Sequence, residues 1–130
     1  MRRRTDQTIA ACAVLTLSTL VGACAEKTAK PRMLSGTDPA NGLALIQAEG
    51  CAACHQIPGV AWPRGAVGGP LKGFAKRGMI AGRLPNQPDT LVAWLRDAPA
   101  LAPDTAMPAT DLTRAQARDV AAYLYTLDED

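Results

Sequence analysis

Histidine is almost absent from this chain: 130 residues contain one, His55. A lone imidazole, with no cysteine beyond Cys54, leaves a structural zinc site short of its ligands. Aromatic residues are nearly as scarce, with two Trp, two Tyr and one Phe, 4 % of the chain. A core with so few large side chains is marginal for a domain of this size. A small scaffold of that kind needs a staple that its own side chains do not supply. A surplus of one charge is missing too. The formal net charge is +2, and setting aside Arg2, Arg3, Arg4 and Asp6 leaves the remainder near neutral. Nothing in that balance suggests nucleic acid as a partner. No strand-like alternation, internal repeat or second domain is visible, so one small all-α domain with appendages is expected.

What the chain does have is Cys51-Ala52-Ala53-Cys54-His55. Two cysteines two residues apart, followed at once by histidine, form the attachment pattern of a c-type haem. The thiols can add to the two vinyl groups of one porphyrin, and the spacing keeps both sulfurs at one edge of the ring. The adjacent imidazole then stands where it can bind the iron as proximal ligand. The same Cys-x-x-Cys could instead be a thioredoxin-like redox pair, half a zinc site or a small disulfide. The first expects a βαβ surround and the second further ligands, and the chain offers neither. One covalently bound haem c is therefore the expected cofactor, and it would supply the rigid apolar body that the side chains lack.

Residues 1–23 read as an export signal. Met1 to Arg4 is a positive n-region, Ile9 to Val21 a nearly continuous apolar run, and Gly22-Ala23 a small-residue end. The run is short for a membrane span. Val21-Gly22-Ala23-Cys24 resembles a bacterial lipobox, in which Cys24 would be lipidated and become the new N-terminus. Ordinary cleavage near Ala23 or Ala25 is the other reading. A free thiol is a liability in an oxidising compartment, which favours the lipid. Residues 24–37 are polar, without hydrophobic period, and are expected to be a flexible tether.

The domain expected over residues 38–130 opens with Asp38-Pro39, an N-cap and a proline at the first helical position. That helix should reach about Gly50, with Leu43, Ile46 and Gly50 on one face and Gly42 allowing close contact. Ile57 to Gly73 reads as loop, followed by a short helical turn near Leu71 to Arg77 and loop again over Ala81 to Gln87. A second helix begins at Pro88-Asp89 with Leu91, Trp94, Leu95 and Ala98 as its apolar stripe, and Pro99 should stop it. Leu101 to Leu112 is an extended loop. The last helix opens on Thr113 and Gln116, spaced as a capping box, and should bury Val120, Tyr123, Leu124 and Leu127.

Iron bound by one histidine leaves a sixth position to fill, and methionine is the natural candidate where no second histidine exists. Met33 lies in the expected tether and Met79 has no rigidifying neighbours. Met107 lies between Pro103 and Pro108, which would present its thioether from a stiff loop. A thioether favours ferrous iron and raises the potential.

Taken together, these segments resemble a class I cytochrome c over roughly Asp38 to Leu127. The resemblance rests on the helix with Gly42, the Cys51-Cys54-His55 motif, Gly68-Gly69-Pro70-Leu71, the helix around Trp94, Met107 with its prolines, and the last helix with Tyr123 and Leu124. It implies a small cytochrome c fold, three main helices around one haem, with the terminal helices crossing near Gly42 and Tyr123. It also implies one-electron transfer through an exposed haem edge, and it matches Arg77 to an arginine that approaches a haem propionate. One departure stands out. Aligning on Leu71 puts Gly69 where the family carries a proline whose carbonyl accepts from the proximal histidine, so the acceptor for His55 is left open.

Iron held by two protein ligands, His55 and Met107, favours electron transfer over catalysis. The expected protein is a monomeric, membrane-tethered periplasmic carrier between respiratory complexes or toward a terminal oxidase. Lys72, Lys76, Arg77 and Arg83 would form a basic rim for acidic redox partners. The alternatives are a haem enzyme or gas sensor with a displaceable methionine, and a fixed subunit of a larger oxidase complex.

Overall fold

Asp38 starts the first helix by giving its carboxylate to the orphan amides of the first turn. In the computed structural model, which describes Arg32 and residues 34–128, its Oδ1 accepts from the backbone N–H of Ala40 (2.8 Å) and Asn41 (3.3 Å). Pro39 has no N–H to satisfy, and α1 runs over Pro39–Ala48. The signal segment, Cys24 and Met33 lie outside the described residues. The last helix, α4 (Arg114–Leu124), opens with the expected capping box. The Thr113 hydroxyl accepts from the Gln116 N–H and the Gln116 side chain accepts from the Thr113 N–H.

Helices α1 and α4 make the largest helix–helix contact in the fold. Gly42 permits it, because a Cβ there would overlap the carbonyl of Asp119 and press on Tyr123 Cβ at 3.1 Å. The Asp119 carboxylate then reaches across, accepting from Asp38 N–H (2.9 Å) and Asn41 Nδ2 (2.7 Å). The expected crossing at Gly42 and Tyr123 is thus observed. Leu127 is buried as expected but lies beyond the helix end, and its carbonyl accepts from Ala75 N–H.

Helix α2 (Pro88–Arg96) buries Leu91, Val92, Trp94 and Leu95 and contacts α4. It stops earlier than expected, and Pro99 sits inside a further short helix, α3 (Ala98–Leu101). The reason lies in the hydrogen bonds. Pro99 cannot donate to the carbonyl of Leu95 one turn back. That carbonyl accepts from the Thr110 hydroxyl instead (2.8 Å), and the carbonyl of Arg96 from the Thr110 N–H (3.0 Å). Asp97 breaks helical geometry and caps the restart, accepting from Ala100 N–H at 3.1 Å.

Two other expectations need correction. Residues 79–85 contain a two-stranded antiparallel ladder, β1 (Met79–Ile80) with β2 (Leu84–Pro85), pairing Met79 with Pro85 and Ile80 with Leu84. Two residues per strand are too few to show a period of two in sequence. The tether expected up to Thr37 is docked at its end. Arg32 donates to the Ala75 carbonyl (2.7 Å) and lies over the Tyr125 ring, Leu34 packs on the core, and Arg118 donates to the Ser35 carbonyl (2.9 Å). The expected helical turn appears as a 3₁₀ turn at Phe74–Lys76.

Among the described residues one polar side chain is fully buried. Asn86, 0 % exposed, donates to the carbonyls of Phe74 (3.2 Å) and Arg77 (3.0 Å) and accepts from the Tyr125 hydroxyl (2.9 Å). Every buried side-chain polar atom among the described residues has a partner, as a buried amide requires.

Candidate haem site

Cys51 begins a 3₁₀ turn, Cys51–Ala53, separated from α1 by Glu49 and Gly50. The turn continues tightly, with His55 N–H donating to the Cys51 carbonyl (3.0 Å). Cys51 is half-buried and Cys54 exposed. Before haem attachment, burial pushes the Cys51 thiol above its ordinary range against a backbone hydrogen bond that pulls it down, and Glu49 and Cys54 add to the rise.

A strip of loop runs alongside this turn. Gly65 N–H donates to the Ala52 carbonyl (2.9 Å), Gly68 N–H to that of Cys54 (2.8 Å) and Leu71 N–H to that of Gln56 (2.8 Å). The strip brings the Gly69 carbonyl to 2.8 Å from His55 Nδ1. A carbonyl oxygen can only accept, so Nδ1 carries the proton and, in the neutral ring, Nε2 keeps its lone pair. The acceptor left open by the sequence is therefore Gly69, at the position aligned with the family proline. Gly68 makes room for the ring, since a Cβ there would collide with three atoms of the His55 imidazole.

These groups border one cavity of about 420 Å³, within the size range of ligand sites. Ile46 from α1, Phe74 and Ile80 from the middle of the chain, Leu91, Trp94 and Leu95 from α2, and Val120 and Leu124 from α4 make its walls apolar. Cys51, Cys54, His55, Arg77 and Met107 all line it. Two thiols, an imidazole with a free Nε2 and a thioether around an apolar hollow are the donor set that a covalently attached haem requires. The residues present fit the group. Among the described residues no three His, Cys, Asp or Glu side chains converge as a cation site.

Met107 lines the cavity from the loop expected to carry it, half-buried, its N–H donating to Thr105 Oγ1 (3.2 Å). Met79 also lines the cavity, 45 % exposed, and its strand pairing gives it the rigid neighbours that the sequence did not show. Arg77 is in the wall, with its guanidinium donating to the carbonyls of Pro70 and Lys72 and stacked toward Phe74. Arg83 departs from the expected docking rim, because both its terminal nitrogens lie 2.5 Å from the carboxylate oxygens of Asp104. Lys72 and Lys76 remain exposed. Sequence reasoning overlooked Phe74 as cavity wall and Asp104 as a partner. The lone Phe in an aromatic-poor chain was the available signal for the first, while the second joins positions 21 apart with no local pattern.

A family model described as Cytochrome c matches residues 39–128. Cytochrome c oxidase subunit 2 of Alkalihalophilus pseudofirmus is 33 % identical to this chain over 88 residues, covering 66 % of this chain and 25 % of that protein. The chain thus spans about a quarter of the relative's length. The crystal structure of SoxXA from P. pantotrophus superposes with a TM-score of 0.56 over 72 % of this chain and 83 % of that one, at 24 % identity, a likeness of fold. The family match runs from the start of α1 past the end of α4 and takes in every wall of the cavity. On that ground the chain belongs to the cytochrome c family, as a small helical class I c-type cytochrome with covalently bound haem c and an electron-transfer role.

Proposed function

We propose that Cys51 and Cys54 hold the haem through thioethers, that His55 and Met107 ligate its iron, and that the protein is a membrane-tethered periplasmic carrier of single electrons. One observation carries this reading: the motif and Met107 line the same apolar cavity although 52 positions apart in the chain (107 − 55). When bound, the haem supplies an iron that cycles by one electron between ferrous and ferric states. The chain's own residues do the rest. The Gly69 carbonyl fixes the His55 tautomer and aims Nε2 away from the loop strip. The apolar walls from α1, α2 and α4 exclude water. Arg77 braces the carbonyls on either side of Leu71 and so steadies the strip that carries Gly69. Arg77 lines the cavity, which supports its match to a propionate-binding arginine.

Residues 1–23 are proposed to direct export, and Cys24 to carry the lipid that tethers the domain through residues 24–37. Arg32 and Leu34 dock on the core, so the end of that tether is joined to the domain ahead of Asp38. The electron acceptor is proposed to be a terminal oxidase or another respiratory complex, supported by the similarity to an oxidase subunit. Lys72 and Lys76 are the cations exposed for an acidic partner.

The test is a redox titration of the mature protein, followed by its reduced spectrum with and without carbon monoxide. Sharp reduced bands, one reversible one-electron wave and little gas binding are expected. Rapid, complete carbon monoxide binding overturns the carrier in favour of a haem enzyme or gas sensor. The oxidase similarity also favours a second reading, a fixed electron-transfer subunit. Purification after mild solubilisation decides between them, because a carrier leaves the membrane fraction alone and a subunit leaves with its complex.

A further inference from the structure

We propose that the ion pair between Arg83 and Asp104 is a clasp that holds the Met107 loop against the cavity, making both of them positioning residues for the thioether ligand. This rests on the reading of Met107 as that ligand. Arg83 ends the turn between β1 and β2, and Met79, Ile80 and Ala81 ahead of it form one rim of the cavity. Asp104 opens the segment whose Thr105, Ala106, Met107 and Pro108 form another. Each guanidinium nitrogen lies 2.5 Å from its own carboxylate oxygen, Nη1 with Oδ1 and Nη2 with Oδ2. That two-pronged geometry fixes orientation as well as distance, which a single contact does not.

Thr110 ties the far end of the loop to the Leu95 and Arg96 carbonyls, but residues 102–108 have little else to hold them by polar contact. Thr105 N–H donates to the Ala102 carbonyl, Ala102 N–H to that of Ala98, and Met107 N–H to Thr105 Oγ1. All three are local. Among the described residues the clasp is the one long-range hydrogen-bonded link made by residues 102–108. Its other end is a hairpin turn closed by the β1–β2 pairing, with Arg83 N–H donating to the Ile80 carbonyl (3.0 Å) and Ala81 and Gly82 at φ of 49° and 70°. A hydrogen-bonded turn therefore holds a loosely bonded loop. Arg83 in turn lowers the Asp104 carboxyl below its ordinary range through their hydrogen bond, so the pair stays charged at neutral pH. Both side chains are more than half exposed, so the clasp adds little to global stability and is screened by salt. Its effect falls on the opening of the loop.

The test is a titration of the ferric, haem-loaded mature protein with imidazole, which reaches the iron only after Met107 has left it. Apparent affinity then scales with the open population. Arg83→Gln and Asp104→Asn are each expected to tighten imidazole binding roughly 1.5- to 5-fold, the range for an exposed pair. The double variant should show no more than the larger single effect, since both changes remove the same contact. At about 1 M salt, where the screening length falls to roughly 3 Å, wild type should approach the variants. Arg114→Gln removes the other ion pair of the described residues, Arg114 with Asp89 at 3.4 Å, and should leave imidazole binding unchanged. Met107→Ala is expected to abolish the far-red sulfur-to-ferric-iron band. If that band disappears in Met107→Ala while both clasp variants bind imidazole as wild type does, the clasp is overturned and the ligand stands. If the band survives in Met107→Ala, the ligand assignment falls and the clasp with it.

Discussion

His55 is positioned by two neighbours that have no side chains. Gly68 leaves the space its ring occupies, and Gly69 offers the carbonyl that Nδ1 donates to. Gly68→Ala would force the imidazole aside, at a cost of roughly 1–3 kcal/mol for overpacking. The expected outcome is a lower haem-loaded fraction and an earlier thermal midpoint, measured by absorbance per mole of protein and by circular dichroism. Tyr125 sets a second residue-scale behaviour. Burial pushes its phenol up to about 12 although Arg32 pulls the other way. The unfolded chain releases that proton near the ordinary tyrosine value of about 10. Between these values the folded state holds the extra proton, so stability present below about pH 10 is lost as pH rises toward about 12. Denaturant midpoints across that window should fall in wild type and stay flatter in Tyr125→Phe. That variant also leaves Asn86 Oδ1 without its donor, which should lower stability at neutral pH by roughly 1–3 kcal/mol.

At the scale of elements, the caps were legible because they are written in adjacent residues. Asp38 before Pro39, and Thr113 three before Gln116, form the bonds their spacing implies. Thr113→Ala should therefore cost about 1 kcal/mol, read as a shift in denaturant midpoint with an unchanged slope. The α1–α4 crossing was legible through the resemblance, and its tolerance is narrow. Gly42→Ala places a methyl group against the Asp119 carbonyl, and loss of roughly 1–3 kcal/mol is expected, more than for a solvent-facing change on α1 such as Ala44→Ser. The boundary at Pro99 was half legible. Proline announces that the helix cannot pass, but the stop came at Arg96 because Thr110, 15 residues from Leu95, was on hand to take the freed carbonyl. The β1–β2 ladder was not legible, since pairing of two residues is settled by what surrounds them and not by propensity.

For the molecule as a whole, scarcity of aromatics predicts dependence on the cofactor. The walls of α1, α2 and α4 face a hollow of about 420 Å³ and few large side chains exist to collapse into it. Cys51→Ser with Cys54→Ser removes the covalent attachment, and the exported chain should then lose most of its helical circular dichroism and its cooperative melt. A variant that melts cooperatively without haem would show that the helices close on each other unaided.

The sequence alone determined the cofactor chemistry and the order of helices, because a Cys-x-x-Cys-His motif and helix caps act through neighbours within a few residues. It also marked Met107, through the prolines around it. Only the tertiary structure decided which carbonyl faces His55, that Met79 shares the cavity with Met107, that Arg83 turns from the rim to Asp104, and that Arg32 and Leu34 dock on the core. Each of these joins residues far apart along the chain or depends on the depth of a side chain in the fold. Such contacts are set by which distant segments meet when the helices pack, and the apolar stripe of one helix does not name its partner.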